Sequence, residues 1–138
     1  MPRFQADLGV LSSSLVLGTL WGLWHLPMFF VAGTSQSKMP FLPFMLWVIA
    51  LSILFTWVYN GTGGSLLLAV LAHGAINFVA GSLFPIFPLR SDGTVPLLLY
   101  AVLFVVTAVA VVLLTGPERL SRKPRIPRPA QLNKNFRG

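Results

Sequence analysis

The chain has 138 residues, 55% of them apolar, 9% charged and none of them cysteine, against roughly 25% charged residues in an ordinary soluble domain. This composition argues against a water-soluble globule. The lack of cysteine excludes a disulfide framework, a zinc-thiolate centre and a thiol nucleophile.

Formal charge is absent from Leu8 to Ser37, from Met39 to Leu89 and from Gly93 to Pro117, uncharged runs of 30, 51 and 25 residues. A hydrocarbon core of roughly 30 Å takes about 20 apolar residues of helix, and only structures that satisfy their own backbone hydrogen bonds cross it. In chain order the predicted spans run from about Leu8 to Ala32, Phe41 to Tyr59, Ser65 to Phe84 and Val95 to Thr115. Turn formers edge them: Gly33, Pro40, Asn60 with Gly61, Pro85 with Pro88, and Gly116 with Pro117. The expected fold class is all-α, a polytopic membrane protein built as a bundle of about four transmembrane helices. The first span does not read as a cleaved signal peptide, because no basic n-region precedes a short apolar stretch and the apolar run continues past Trp24, His25 and Pro27. Residues 1–116 are expected to form the transmembrane domain, and residues 117–138 a disordered basic tail.

Arg119, Arg122, Lys123, Arg125, Arg128, Lys134 and Arg137 against Glu118 supply +6 of the net +7. Such a concentration predicts a cytoplasmic C-terminus in the cell membrane. An even number of crossings then puts the N-terminus on the same side, the Lys38 and Arg90/Asp92 loops outside and the Asn60 to Gly64 turn inside. Anionic lipid headgroups are the expected partner of the tail. Nucleic acid is the competing partner for a basic segment. It is disfavoured here because the tail has the single aromatic Phe136, carries no recognisable nucleic-acid-binding fold and adjoins a membrane span.

Polar side chains inside apolar spans cost free energy, so the few present are informative. His25 lies in the first span, and His73 and Asn77 lie in the third. The i, i+4 spacing stacks His73 and Asn77 on one helix face, in a row continued by Ser65, Ala69 and Gly81. Ser14, Gly18 and Gly22 make a similar row, with His25 on nearly the same face. Rows of this kind read first as packing seams, in which one buried polar group bonds across helices for about 0.6 kcal/mol. Two histidines and an asparagine on two such seams also suit a site. Neutral imidazoles offer one donor and one acceptor each, and the carboxamide adds a donor, a set able to polarise a carbonyl. Helix rise places His25 several ångströms further along its span than His73, so the spacing alone leaves their adjacency open.

Three segments carry a family resemblance: Trp21-Gly22-Leu23-Trp24-His25-Leu26-Pro27, Asn60-Gly61-Thr62-Gly63-Gly64-Ser65, and His73-Gly74-Ala75-Ile76-Asn77-Phe78. Together they resemble the CPBP family of intramembrane proteases, the CAAX protease and bacteriocin-processing family, which includes type II CAAX prenyl endopeptidases. Its signature is an aromatic separated by three residues from a histidine, matched by Trp21 and His25, and a histidine followed at i+4 by asparagine, matched by His73 and Asn77. The resemblance covers about residues 1–84. It implies a hydrolase that cleaves a peptide bond near the membrane, acting on a peptide or prenylated protein. It further implies that His73, with a glutamate of a Glu-Glu-x-x-x-Arg motif, activates water, while His25 and Asn77 form the oxyanion hole.

That acidic motif does not occur in this sequence, whose carboxylates are Asp7, Asp92 and Glu118. Pro2 and Phe4 resemble the passage just after the motif, so Met1 is expected to be an internal methionine of a longer reading frame or the start of a shortened remnant. In either case this chain by itself is expected to be inactive. A metal-dependent version would use His25 and His73 as ligands to a divalent ion such as zinc, although catalytic zinc ordinarily takes three protein ligands. Two readings from other classes stand beside the peptidase. One is a non-catalytic membrane scaffold or bacteriocin-immunity-type protein that keeps the polar seam for packing. The other is a membrane haem protein with His25 and His73 as axial ligands.

Overall fold

In a computed structural model, residues 2–86 and 94–121 are described, and they contain helices and turns with no strand. The helices are α1 (Pro2–Leu8), α2 (Val10–Trp24), α3 (Phe41–Gly61), α4 (Leu66–Ile86) and α5 (Thr94–Thr115). Three of the predicted spans therefore correspond closely to α3, α4 and α5. Arg90, Asp92 and residues 122–138 lie outside the described residues.

The first predicted span is not one helix. Gly9, at φ 81°, interrupts it between α1 and α2, and α2 ends at Trp24 with His25 as its C-cap. Two residues later Pro27 lacks a backbone N–H and its ring opposes a continuing helix, and the chain tightens into a 3-10 turn over Leu26–Phe29. With 15 residues, α2 rises about 22 Å, short of a full crossing. The helices α3 and α5 are both long and apolar enough to cross a membrane. Hydropathy reads the same through helix and 3-10 turn, which is why it could not place the end of α2.

The bundle is organised around α3. Ser14 faces Thr56, Gly18 faces Ile49 and Ser52, and Gly22 faces Met45, so α2 runs antiparallel to α3. On another side Phe44 and Val48 pack with Leu97 while Trp47 meets Phe104, so α5 runs parallel to α3. A second apolar cluster joins Val10, Ala50, Ile53, Ala108 and Leu120. The outward faces of α2, α4 and α5 expose leucines and valines in quantity, among them Leu20, Leu66, Leu67, Val70, Leu99, Val102 and Leu113. In water such a surface would associate, whereas in lipid it is solvated. Together with the long apolar helices it makes the chain an all-α membrane protein.

Hydroxyls lock α2 to α3. Ser14 Oγ donates to Thr56 Oγ1 at 2.9 Å, and Ser52 Oγ donates to the Ser14 carbonyl at 2.9 Å. Thr56 in turn donates to the Ser52 carbonyl, and all three side chains are buried. The Ser14, Gly18, Gly22 row is thus a true packing seam, since each of its members is buried against α3.

Candidate functional site

The site is assembled from the C-terminal end of α2, the middle of α4 and the aromatic face of α3. His25 is held where α2 stops, its backbone N–H bonding to the Gly22 carbonyl. Its Nδ1 lies 2.8 Å from the Trp21 carbonyl oxygen. A carbonyl only accepts, so Nδ1 carries the proton and, in the neutral ring, Nε2 keeps its lone pair.

Trp21 stands between the two imidazoles. Its ring centroid is 6.1 Å from that of His25 and 5.2 Å from that of His73. The axial offset read from the sequence is therefore real, with an indole rather than a direct contact joining the histidines. Phe44 packs on His25 at 5.4 Å, and Phe55 stacks on His73 at 5.5 Å with an interplanar angle of 23°. Both imidazoles are half-buried. Phe44 and Phe55 escaped the sequence reading because a phenylalanine in an apolar span carries no signal of its own. Their eleven-residue separation along α3 places them about 16 Å apart in rise.

Asn77 is exposed. It follows His73 by one helical turn on α4, and because α4 runs parallel to α2 that turn carries it about 6 Å toward the level of His25. The row Ser65, Ala69, His73, Asn77 is therefore only partly a seam, half-buried at Ser65, Ala69 and His73 and open at Asn77.

The two described carboxylates lie on elements tied to Asn60 at the end of α3, whereas His25 packs beside Phe44 near its start. Asp7 is exposed on α1, and Glu118 is exposed in the turn after α5. Among the described residues no three His, Cys, Asp or Glu side chains converge. Two imidazoles flanking an indole supply two nitrogen donors, one fewer than the three protein ligands of an ordinary catalytic zinc site.

The chain matches CAAX prenyl protease 2 of Methanococcus maripaludis with 30% identity over 79 residues, covering 53% of this chain and 29% of that protein. The chain thus spans under a third of the length of the curated relative it matches. No solved structure gives a significant match. A family model described as "Type II CAAX prenyl endopeptidase Rce1-like" matches residues 1–79, a stretch that includes Trp21, His25, His73 and Asn77. The chain belongs to this Rce1-like CAAX prenyl endopeptidase family.

Proposed function

We propose that the chain carries the imidazole and carboxamide part of an intramembrane endopeptidase site, which hydrolyses a peptide bond near the membrane surface when a carboxylate from a Glu-Glu-x-x-x-Arg segment completes it. The observation that supports this most is the bracketing of Trp21 by His25 and His73, with Asn77 one turn further along α4. An apolar helix interface that needed only packing would not place two half-buried imidazoles around one indole.

The tautomer of His25 argues for roles opposite to those implied by the family resemblance. With Nδ1–H given to the Trp21 carbonyl, neutral His25 presents an acceptor at Nε2. It is suited to take a proton from attacking water beside the completing carboxylate, and could donate to an oxyanion only as a cation. His73 has no such internal bond, and together with the Asn77 amide it can offer two N–H donors to the tetrahedral oxyanion. Donation from His73 needs the tautomer protonated on the nitrogen that faces substrate.

The test is a fusion that places a helix bearing Glu-Glu-x-x-x-Arg ahead of Pro2, assayed in membranes with a prenylated C-terminal peptide. Hydrolysis is expected in the fusion, with His25→Ala and His73→Ala each abolishing it and membrane insertion unchanged. Equal turnover by the His73→Ala fusion would reject the site. A non-catalytic scaffold is the second reading, favoured by the distance of Asp7 and Glu118 from the imidazoles. It requires that Ala at His25 or Asn77 change any cellular phenotype only in step with stability.

A further inference from the structure

The turn after α2 divides its side chains between two environments. Within residues 26–31 Phe29 alone is half-buried, its ring 5.2 Å from those of Phe41 and Phe44 at the start of α3. Leu26, Met28 and Val31 are exposed, and Phe30 at 81% and Trp24 at 80% are the most exposed large apolar side chains among the described residues. Leu20, one turn before Trp24, is exposed too, so this apolar surface continues onto the side of α2 that lipid covers.

The backbone of the turn is paired as a low-polarity setting requires. His25 takes the Trp21 carbonyl through Nδ1 and the Gly22 carbonyl through its N–H, while the Met28 and Phe30 N–H groups bond to the His25 and Pro27 carbonyls. Gly33, at φ 89°, turns the chain back, and the Thr34 hydroxyl lies 2.6 Å from the Met28 carbonyl oxygen and 2.9 Å from that of Val31. Water would satisfy these carbonyls in an aqueous loop, whereas backbone at membrane depth has to find partners within the protein. Exposed polar side chains resume at Ser35, Ser37 and Lys38. Phe44, which packs on His25, lies about 5 Å in rise from the start of α3, so the turn stands at the border of the hydrocarbon that α3 spans.

We infer that residues 24–31 form a wedge lying in the membrane plane at the Lys38 end, seated in the glycerol-backbone layer and upper hydrocarbon chains of one leaflet, with Trp24 and Phe30 as its anchors. An indole combines an apolar ring with an N–H that suits the layer where hydrocarbon meets headgroups, and Phe30 adds apolar area with no polar group. The wedge fixes the depth of His25, the neighbour of Trp24, at that border. A protein partner would call for a bounded patch, but here the exposed apolar surface merges with the lipid-facing side of α2. The inference is independent of the peptidase reading, because depth is read with no substrate present.

The experiment reconstitutes the full chain in phosphatidylcholine vesicles. Nitroxides are attached singly through Met28→Cys, Val31→Cys and Ser37→Cys, and power-saturation electron paramagnetic resonance compares their collisions with oxygen and with a water-soluble nickel chelate. Labels at positions 28 and 31 should collide mainly with oxygen, at depths of about 5–10 Å into the headgroup and hydrocarbon boundary, and the label at position 37 mainly with nickel. Trp24→Gln combined with Phe30→Gln should move the label at position 28 several ångströms toward water at unchanged helicity, whereas Trp24→Tyr combined with Phe30→Leu should hold it in place. Labels at positions 28 and 31 as open to nickel as that at position 37 would overturn the inference by placing the turn in water. Protection of both labels from both collision partners would overturn it in favour of a second copy covering the turn. A label that stays in place in the glutamine variant would remove Trp24 and Phe30 as anchors.

Discussion

Gly18 and Gly22 belong to one seam but differ in what an added methyl group would meet. At Gly18 a Cβ would stand 2.8 Å from the Ile49 Cα and 3.0 Å from the Ser52 Cβ, atoms that move only if α2 and α3 separate. At Gly22 the obstacle is the end of the Met45 side chain, which can rotate away. Gly18→Ala should therefore destabilise the bundle by about 1–3 kcal/mol, and Gly22→Ala by clearly less, both read as shifts in the detergent-unfolding midpoint. The hydroxyl lock allows a smaller test. Thr56→Val conserves shape while removing the acceptor for Ser14, and Ser14 still reaches the Val10 carbonyl at 2.9 Å, so a loss of about 0.6 kcal/mol is expected. Ser14 could be read from the sequence as part of a row. Its partners Ser52 and Thr56 form an i, i+4 pair that was equally visible, but nothing in spacing says which two rows meet. The stacking of Phe55 on His73 has a spectroscopic consequence too. In histidine-labelled protein, Phe55→Leu should remove the ring-current shift on the His73 imidazole protons and leave those of His25 in place. If His73 does not move, the stack is absent in solution.

Among the elements, the ends of α2 show where periodicity and hydropathy stop being informative. The apolar run from Leu8 to Ala32 has a composition suited to a crossing, yet backbone chemistry divides it at two points. Gly9 adopts φ 81° with nothing near its missing side chain, so the position selects glycine for its torsion and not for space. With ψ at 163° Gly9 lies in a region that is essentially glycine-only, so Gly9→Ala and Gly9→Asn should each cost about 1–3 kcal/mol of backbone strain, read as shifts in the detergent-unfolding midpoint. An asparagine variant as stable as the wild type would mean that the break has a different cause. The division matters for the site, since His25 becomes a C-cap whose ring turns back to the Trp21 carbonyl. Had α2 continued as one helix past His25, the same Nδ1 contact could still form, but the chain would not leave the axis beside Phe44. The boundaries of α3, α4 and α5 were legible because Pro40, the Asn60 to Gly64 cluster and Gly116 punctuate them, whereas Pro27 lies inside an unbroken apolar stretch and Gly9 falls at its start.

For the molecule as a whole, charge and packing together predict an orientation that neither predicts alone. Lys38 precedes one end of α3, and Asn60, clamped to Arg119, lies at the other. The 21 residues of α3 rise about 31 Å, which matches a hydrocarbon core of roughly 30 Å, so these ends should lie on opposite membrane faces. Seven basic side chains from Arg119 onward outweigh Lys38, so the positive-inside bias predicts that the clamped end is the cytoplasmic one. The natural absence of cysteine makes this directly measurable, because any introduced thiol is unique. In intact cells a membrane-impermeant maleimide should modify Lys38→Cys and spare Lys134→Cys until the membrane is opened. The reverse pattern would invert the orientation and leave the fold intact. Modification of both from outside would mean that α3 does not cross, and the depth assigned to His25, beside Phe44 near the Lys38 end, and to His73, beside Phe55 further in, would lose its basis.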